Sequence, residues 1–326
     1  MQPDHKNFTA PGVSRSLWYG LEAWRLESER LRVLVVPELG AKLVSLYDRQ
    51  AEYEWLVPPL RPPKPLAYGT RFVDQDMSGW DEMFPTIDAC AYPVPGRFVG
   101  NRLPDHGEVW SLPWSPAPAS AGEVALQVEG KALPYRLVRR ISLSSPDTLR
   151  LDYTLVNLGQ EELFGLWAAH PQFHAGLETR VVLPAQVGEV LNVVDSSLWG
   201  PAGSSCAWPE TIGVDGNRYH LDRLRVGAVE KSRKVYLPPE TRAEWARLVR
   251  QPAGNWLSLE WAPQEISYLG IWVDQGEYHT AHVIALEPST GFYDRLDRAW
   301  QLGRSMVVPP GGELQWALQA RCGLSL

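Results

Sequence analysis

Hydrophobic and polar residues alternate along several stretches of the chain. In residues 148–155 (TLRLDYTL), Leu149, Leu151, Tyr153 and Leu155 fall on one side, and polar residues stand between them. A period of two residues is typical of a strand with one buried face, which is common in antiparallel sheets. The same signal predicts strands at residues 31–36, 123–128, 135–143, 257–261 and 314–318. We therefore expect an all-β chain built from antiparallel sheets.

Helical signal is thin by comparison. Residues 241–249 (TRAEWARLV) and 292–300 (FYDRLDRAW) are each predicted to form a helix of two or three turns at most. Many short strands separated by turn residues favour a large sandwich or barrel. The proline-rich residues 56–66 are predicted to form a long surface loop, because strand-like segments continue on both sides without a shift in composition. Residues 1–326 are accordingly predicted to form a single domain.

Tryptophan is the unusual feature of the composition, with 15 residues in a chain of 326. Some of these rings will lie in the core, but flat rings also suit sugar binding, because they stack on the apolar C–H faces of a pyranose. The formal net charge is −7, and no basic run stands out. A nucleic-acid partner is therefore not expected, since it would need a basic surface.

Two further features bear on where the protein acts. No apolar stretch approaches the ~20 residues that a membrane-spanning helix needs, so no membrane association is expected. The three cysteines, Cys90, Cys206 and Cys322, are far apart and odd in number. They are predicted to be reduced thiols in a cytoplasmic protein, and their spacing is not that of metal ligands.

Three segments contain residues suited to chemistry. They are LPDHGEVW (103–110) with His106, LWAAHPQFHA (166–175) with His170, and IALEPSTG (284–291) with Glu287. Taken singly, each is a weak signal, because a histidine or glutamate near a strand end is more often a structural residue. Their number and order in the chain carry more information than any one of them.

In that order the segments resemble the galactose mutarotase-like superfamily, whose members are also called aldose 1-epimerases. Residues 31–48, 78–87, 268–288 and 307–318 add to the resemblance, whereas residues 176–255 match poorly. The resemblance implies a large antiparallel β-sandwich, the supersandwich of that superfamily, with few short helices. It also implies a small-molecule sugar substrate and conversion of its α anomer into its β anomer.

The chemistry of that reaction agrees with the residues. A base removes the proton of the C1 hydroxyl while an acid protonates the ring oxygen, so the ring opens, rotates about C1–C2 and closes again. One imidazole and one carboxylate suit these two roles near neutral pH. By the resemblance, Glu287 is the base, His170 is the acid, and His106 binds the sugar near the ring oxygen. The reaction requires no metal and no organic cofactor.

The residues that would bind the sugar hydroxyls are harder to find in the sequence. The family has a sugar-binding arginine ahead of the His-Gly turn, and Arg71, in YGTRF, lies at a plausible distance from that turn but in different surroundings. Asn101 and Arg102 resemble the family's motif more closely but lie almost against His106, so Arg71 is the candidate. Trp80 and Asp81, in GWDE, and Trp272 are the other candidates, and a structural role in the core is the alternative for each. The family's central aspartate has no clear counterpart among Asp195, Asp215 and Asp222.

A metal site is a weaker interpretation of the histidines. His170 and His174 are four residues apart, so on an extended strand both side chains would face the same way. Pro171 between them argues against a helical pair of ligands, and no HExxH motif is present. We therefore predict no metal ligand in the chain.

Three alternatives to a mutarotase remain at this stage. The first is a non-catalytic carbohydrate-binding protein, because a fold does not fix its activity. The second is a glycoside hydrolase or a sugar lyase, although a hydrolase normally needs two carboxylates that flank the bond. The third is a mutarotase for a sugar phosphate, which would need clustered cationic side chains near the site. The identity of the sugar and the oligomeric state are left open by the sequence.

Overall fold

The computed structural model describes residues 12–228 and 230–325. Within these residues the chain forms 27 strands, one α-helix and two short 3-10 helices. The strands are β1 Gly12–Trp18, β2 Leu21–Glu27, β3 Leu31–Val36, β4 Lys42–Asp48, β5 Tyr53–Glu54, β6 Trp80–Met83, β7 Cys90–Ala91, β8 Arg102–Leu103, β9 Ser115–Pro116, β10 Glu123–Glu129, β11 Tyr135–Ser145, β12 Thr148–Asn157, β13 Leu163–Gly165, β14 Ala168–Pro171, β15 Phe173–His174, β16 Thr179–Val182, β17 Glu189–Asn192, β18 Ser205–Ala207, β19 Glu210–Ile212, β20 Arg218–His220, β21 Ser232–Tyr236, β22 Trp245–Arg250, β23 Asn255–Trp261, β24 Tyr268–Asp274, β25 Val283–Ser289, β26 Met306–Val308 and β27 Glu313–Leu324. The α-helix, α1, is Leu296–Gln301, and the 3-10 helices are Pro37–Leu39 and Phe72–Asp74.

Two large antiparallel sheets dominate the described residues. The larger one has 13 strands, with the central order β1-β2-β3-β4-β6-β14-β25-β24-β21-β17-β18. The smaller one has eight strands in the order β16-β22-β23-β27-β12-β11-β10-β9. This architecture is the predicted large antiparallel β-sandwich, and the all-β prediction is confirmed.

The alternation seen in the sequence places one face of each strand in the core. In β12, Leu149, Leu151 and Leu155 are fully buried, whereas the polar residues between them are partly exposed. Leu151 pairs with Ile141 of β11 on one side and with Leu318 of β27 on the other. Apolar side chains of the larger sheet join the same core cluster. Complete burial of each such side chain contributes about 1.5–3 kcal/mol, which is the main force that holds the two sheets together.

The helix predictions have different outcomes. Residues 292–300 overlap α1, as expected. The helix predicted at residues 241–249 is wrong, because residues 245–250 form strand β22 between β16 and β23. In that strand Ala246 and Leu248 are fully buried while the residues between them are only partly buried. Pairing and burial in the sheet therefore override the helix propensity of its alanine, arginine and leucine residues.

The proline-rich residues 56–66 form a loop, as predicted, and many of them are exposed. This loop continues through the 3-10 helix Phe72–Asp74 before it joins β6. It therefore lies between β5 and β6 and brings Phe72 to the surface of the larger sheet. None of the helices in the described part of the chain has the length and hydrophobicity that crossing a membrane requires.

Four neighbouring strands of the larger sheet position the site. They are β14, β25, β24 and β21, in that spatial order. In β25, Ile284 and Leu286 join the core cluster, so Ala285 and Glu287 lie on the opposite face. Strand β24 follows the same rule, since Ile271 and Val273 are in the cluster and Trp272 is not. The face of the sheet that points away from the core therefore carries the polar and aromatic side chains described next.

Candidate active site

The three segments singled out in the sequence meet at one cavity, which we call the site cavity. It has a volume of about 330 Å³ and is open to solvent on one side. This size is within the range of about 300–1,000 Å³ that is usual for small-molecule sites. The residues that border it are Phe72, Val73, Met77, Ile87, Asp88, Asp105, His106, His170, Val194, Ser232, Arg233, Lys234, Trp272, Tyr278, Glu287 and Asp294.

His170 and Glu287 lie side by side in this cavity. His170 is on β14 and Glu287 is on the adjacent strand β25, and Nε2 of the histidine is 3.7 Å from Oε1 of the glutamate. Both side chains are almost completely buried. Neither Nδ1 of His170 nor Oε1 of Glu287 has a hydrogen-bond partner among the described residues. Buried polar atoms are rarely left without a partner, so these two atoms are suited to receive a polar ligand.

Lys234 is the second neighbour of Glu287. It lies on β21, directly opposite Trp272 of β24, and reaches the glutamate across that strand. Its Nζ is 2.7 Å from Oε2 of Glu287 and 2.8 Å from Oδ1 of Asp294. The hydroxyl of Tyr236 also donates a hydrogen bond of 2.5 Å to Oδ1 of Asp294. One carboxylate oxygen of Glu287 is thus held by a cation, and the other faces His170.

Burial shifts the pKa values of the pair in opposite directions. It raises the pKa of Glu287 above its ordinary value of 4.5, and the Lys234 ammonium opposes part of that shift. Burial also lowers the pKa of His170 well below 6.5, and the neighbouring His106 and Lys234 side chains lower it further. Burial therefore raises the proton affinity of the glutamate and lowers that of the histidine. Shifts in these directions suit two groups that exchange the roles of acid and base.

His106 reaches the cavity from a tight turn. Its φ angle is 58°, in the left-handed region, and Gly107 follows with a φ angle of 74°. A Cβ on Gly107 would lie only 2.2 Å from the carbonyl oxygen of Phe84, so that position requires glycine. Nδ1 of His106 is 2.8 Å from Oδ1 of Asp105. This hydrogen bond places the proton on Nδ1 and leaves Nε2 for a ligand.

Aromatic rings form two walls of the site cavity. Phe72 stacks on the His106 ring at a centroid distance of 3.9 Å and a plane angle of 7°. The backbone N–H of Phe72 donates to Asp105, which ties the loop to the turn. On the other side, the Trp272 ring lies 5.8 Å from the His170 ring. Trp272 therefore borders the cavity as the sequence predicted, beside the imidazole that would act as the acid.

The other three residues expected to bind sugar lie elsewhere. Arg71 is exposed and forms an ion pair with Asp74 at 2.8 Å, outside the site cavity. Trp80 is fully buried in the core cluster. Asp81 is also fully buried and lies 3.4 Å from Nζ of Lys42. The side chain of Arg71 is exposed just before the 3-10 helix, and Trp80 of β6 points into the core. Asp81 lies on the opposite face of β6, directly across from His170 of β14, and is engaged there by Lys42. None of these three residues borders the site cavity.

His170 and His174 lie on two different strands and do not form a pair of ligands. Strand β14 ends at Pro171 and β15 begins at Phe173, so the alternation is interrupted between the two histidines. The His174 ring stacks with Tyr53 at a centroid distance of 6.0 Å and does not border the site cavity. Within the described residues, no three histidine, cysteine, aspartate or glutamate side chains are grouped so that they could hold a metal ion.

Sequence reasoning missed two charged residues beside the pair: Lys234, which contacts Glu287, and Asp294, which contacts Lys234. Lys234 and Asp294 lie in segments without a recognised motif. A signal for Lys234 does exist, because it alternates with Arg233 and Val235 in a strand whose neighbours are buried. A lysine on a buried strand needs a carboxylate partner. In the structure, its pairing with Trp272 shows which face of the sheet it occupies. Asp294 gives no comparable signal, since it lies in the turn before α1.

The structural comparisons concern the fold. A galactose mutarotase-like protein of Clostridium acetobutylicum has a TM-score of 0.68 and 15% identity, over 97% of this chain and 99% of that one. A galactose mutarotase-like protein of Lactobacillus casei has a TM-score of 0.65 and 18% identity, over 96% of this chain and 100% of that one. The chain has the galactose mutarotase-like fold. A candidate aldose 1-epimerase of Klebsiella pneumoniae is similar too, with a TM-score of 0.71 and 11% identity over 95% and 83% of the two chains.

Sequence comparison is less informative than this structural likeness. The sequence matches no protein-family model and no curated protein sequence. At identities of 11–18%, the solved structures bear on the galactose mutarotase-like fold and leave the chemistry to be argued from the site.

Proposed function

We propose that the protein is an aldose 1-epimerase, which interconverts the α and β anomers of a sugar. The observation that carries the proposal is the approach of His170 to Glu287, with Nε2 3.7 Å from Oε1, in a cavity of sugar size. A protein that only binds sugar has no use for a buried acid–base pair, because burying such groups costs free energy. The recurrence of mutarotase names among proteins of the same fold supports the proposal.

The reaction uses the two groups in turn. Glu287, as the carboxylate, takes the proton of the C1 hydroxyl while the protonated His170 gives its proton to the ring oxygen. The bond between C1 and the ring oxygen breaks, and the electron pair of the O1–H bond forms the aldehyde. After rotation about C1–C2, His170 takes the proton back from the hydroxyl that was the ring oxygen. Glu287 returns its proton to the aldehyde oxygen as the ring closes on the other face.

Two further residues support this exchange. Lys234 counteracts the effect of burial on Glu287, because its ammonium group stabilises the carboxylate form that acts as the base. His106, oriented by Asp105, offers Nε2 as an acceptor to a sugar hydroxyl. Its ring lies 5.6 Å from that of His170, so one pyranose can contact both. Trp272 supplies a flat surface for an apolar face of the sugar.

The charges of the site cavity favour an unphosphorylated sugar. Four carboxylates border it, those of Asp88, Asp105, Glu287 and Asp294. Of the two lysine and arginine residues that border it, Lys234 is paired with two of these carboxylates. The other, Arg233, donates to the carbonyl oxygens of Leu221 and Arg223. A phosphate group normally needs unpaired cationic donors, so the sugar-phosphate alternative has less support than a neutral aldose.

Three further observations support proposals about the compartment, the number of domains and the need for a cofactor. The three cysteines are buried as free thiols, which supports a reducing compartment such as the cytoplasm. One core cluster includes residues from Leu26 to Cys322, which supports a single domain. No group that could hold a metal occurs among the described residues, and the proposed proton transfers need neither a metal nor an organic cofactor.

Anomer exchange measured by NMR across a panel of neutral aldoses and their 6-phosphates tests the proposal. We expect faster exchange between the α and β signals of at least one neutral aldose in the presence of the protein. The 6-phosphate of the responsive aldose should exchange more slowly than the aldose itself. If no sugar in the panel responds while one of them binds, the protein is a carbohydrate-binding protein instead.

A further inference from the structure

His170 lies on β14, between two strands that each carry a carboxylate. Strand β25 on one side carries Glu287, which approaches Nε2 of the imidazole. Strand β6 on the other side carries Asp81, which is directly opposite His170 in the antiparallel pairing. Residues that are directly opposite each other in such a pair point to the same face of the sheet, with Cβ atoms about 4.5–5.5 Å apart. The carboxylate of Asp81 is therefore within reach of the imidazole, directly or through one water molecule.

Each of these two side chains has a buried polar atom that lacks a hydrogen-bond partner in the part of the chain that the structure describes. The two atoms are Nδ1 of His170 and Oδ1 of Asp81. Buried polar atoms are rarely left without a partner, and a neighbouring side chain can serve as well as a ligand. A protonated Nδ1 donates and a carboxylate oxygen accepts, so the two atoms are complementary.

The second oxygen of the Asp81 carboxylate is already held. Its Oδ2 accepts a hydrogen bond of 3.1 Å from Nε2 of Gln75 and lies 3.4 Å from Nζ of Lys42. The ammonium group of Lys42 also lies 2.6 Å from Oδ1 of Asp76. Two donors thus fix the Asp81 carboxylate by one oxygen and leave the other oxygen, Oδ1, free to accept.

The charge of Asp81 has the sign that the acid role of His170 needs. Burial lowers the pKa of His170 well below 6.5, although the reaction requires its protonated form. A carboxylate beside the ring stabilises that form. Burial raises the pKa of Asp81 to about 6, so the group is ionised above about that pH. The other charged or titratable groups around the two side chains are Lys42 of β4, Asp76 of the loop before β6, Glu287 of β25, Lys234 of β21 and His106 of the turn.

We propose that Asp81 is the positioning residue for His170, and that its Oδ1 accepts a hydrogen bond from Nδ1–H, directly or through one water molecule. The neutral imidazole is then the Nδ1–H tautomer, so Nε2, which faces Glu287, is the nitrogen that gains and loses the proton. The same hydrogen bond stabilises the imidazolium that acts as the acid. The catalytic part of this inference rests on the proposed function, whereas the hydrogen bond can be observed without a sugar.

The tautomer of His170 in the sugar-free protein tests the hydrogen bond. In protein labelled with ¹⁵N-histidine, long-range ¹H–¹⁵N correlation spectra distinguish the two ring nitrogens, and the loss of signals in His170→Asn identifies this ring. Well above pH 6.5, the ordinary pKa of histidine, we expect the Nδ1–H tautomer in the wild type. A wild-type ring with its proton on Nε2 would overturn the inference.

Asp81→Asn should reverse this tautomer. Lys42 and Gln75 hold the amide oxygen of the new side chain and turn its N–H toward Nδ1, which must then accept. Asp76→Asn is the matched control, because it also removes one carboxylate from Lys42 and leaves Asp81 in place. We expect the Nε2–H tautomer in Asp81→Asn and the Nδ1–H tautomer in Asp76→Asn. The same tautomer in both variants would contradict a specific contact, and circular dichroism with a Tm measurement checks that both variants fold.

Rates of anomer exchange separate this inference from the proposed function. On the responsive sugar, kcat of Asp81→Asn should fall by on the order of 10²-fold, less than the ~10⁴-fold that loss of a carboxylate in direct contact with a catalytic histidine can cost. KM should change little, because Asp81 does not border the site cavity. The alkaline limb of kcat/KM should move to lower pH, and Asp76→Asn should keep the wild-type limbs.

The two failures have different signatures. If the tautomer follows Asp81 while no sugar exchanges its anomers in the wild type, the proposed function fails and the hydrogen bond stands. If a sugar does exchange and Asp81→Asn keeps both the wild-type rate and the wild-type limbs, the positioning role of Asp81 is overturned.

Discussion

The Nζ of Lys234 lies 2.7 Å from Oε2 of Glu287. This contact gives the proposed base a cationic neighbour on the side away from His170. The lysine is itself anchored by Asp294, and, although burial lowers its pKa, Asp294 and Glu287 raise it above the ordinary 10.5. Lys234 therefore stays charged wherever the reaction is measured, and its field acts on both members of the acid–base pair.

The pH profile of the reaction should reflect this field. Activity in kcat/KM requires Glu287 ionised and His170 protonated in the free enzyme. The raised pKa of Glu287 moves the acidic limb upward, and the lowered pKa of His170 moves the alkaline limb downward. We therefore expect a bell-shaped profile with its acidic limb above the ordinary glutamate pKa of 4.5 and its alkaline limb below the ordinary histidine pKa of 6.5.

Replacement of the lysine should shift the whole profile. Lys234 lowers the pKa of Glu287 and also that of His170. Lys234→Met should therefore raise both pKa values, so that both limbs of the bell move to higher pH. Lys234→Arg is the control, because it keeps the charge and should leave the limbs in place. A Met variant whose profile keeps the wild-type limbs would show that Lys234 acts only in packing.

His106→Asn tests the role of the turn histidine. Asparagine tolerates the left-handed conformation that His106 adopts, so the fold should be retained. Loss of one hydrogen bond to the sugar should weaken binding of the responsive sugar by roughly three- to tenfold. Binding can be followed by tryptophan fluorescence, since Trp272 borders the site cavity. An unchanged Kd together with an unchanged rate would make His106 a structural residue of the turn.

Lys42→Met tests whether the ion pair between Lys42 and Asp81 stabilises the fold. Lys42 is buried with Asp76 at 2.6 Å and Asp81 at 3.4 Å, and burial raises the pKa of Asp81 to about 6 even though Lys42 opposes the shift. Removing the cation leaves two buried carboxylates without it, which should lower the free energy of unfolding by about 3–5 kcal/mol. Urea unfolding measures the change. The control, Lys64→Met at an exposed position, should stay within about 0.5 kcal/mol of the wild type, and equal losses in both variants would contradict the account.

Much of the fold could be predicted because burial follows a simple period. Strand β12 has apolar residues at every second position, and the structure buries those positions. The helix predicted at residues 241–249 is wrong because the composition of this segment favours a helix while its alternation favours a strand. The deciding factor is that β22 pairs not only with β23, the next strand in the chain, but also with β16, which is distant in the sequence. Contacts of that kind are not encoded in a local pattern.

The candidate site could be predicted only in part. His170, Glu287, His106 and Trp272 were found, because three lie in segments that resemble a family and the fourth lies on the strand beside Glu287. Lys234 was missed because its partners come from other strands and loops, and no short motif records them. Arg71 is expected in the site because the family has a sugar-binding arginine ahead of the His-Gly turn, but its ion pair with Asp74 forms within one short turn.

The rate of anomer exchange in Glu287→Gln and His170→Asn tests the central claim most directly. Glutamine keeps the shape of the side chain and removes the base, and asparagine removes the acid. After subtraction of the spontaneous reaction, polarimetry or NMR exchange on the responsive sugar should show a loss of ~10²–10⁴-fold for each variant. The double variant should lose no more than the worse single one, because the two groups act as a unit. Near wild-type rates in both single variants would contradict the assignment and would favour a carbohydrate-binding protein.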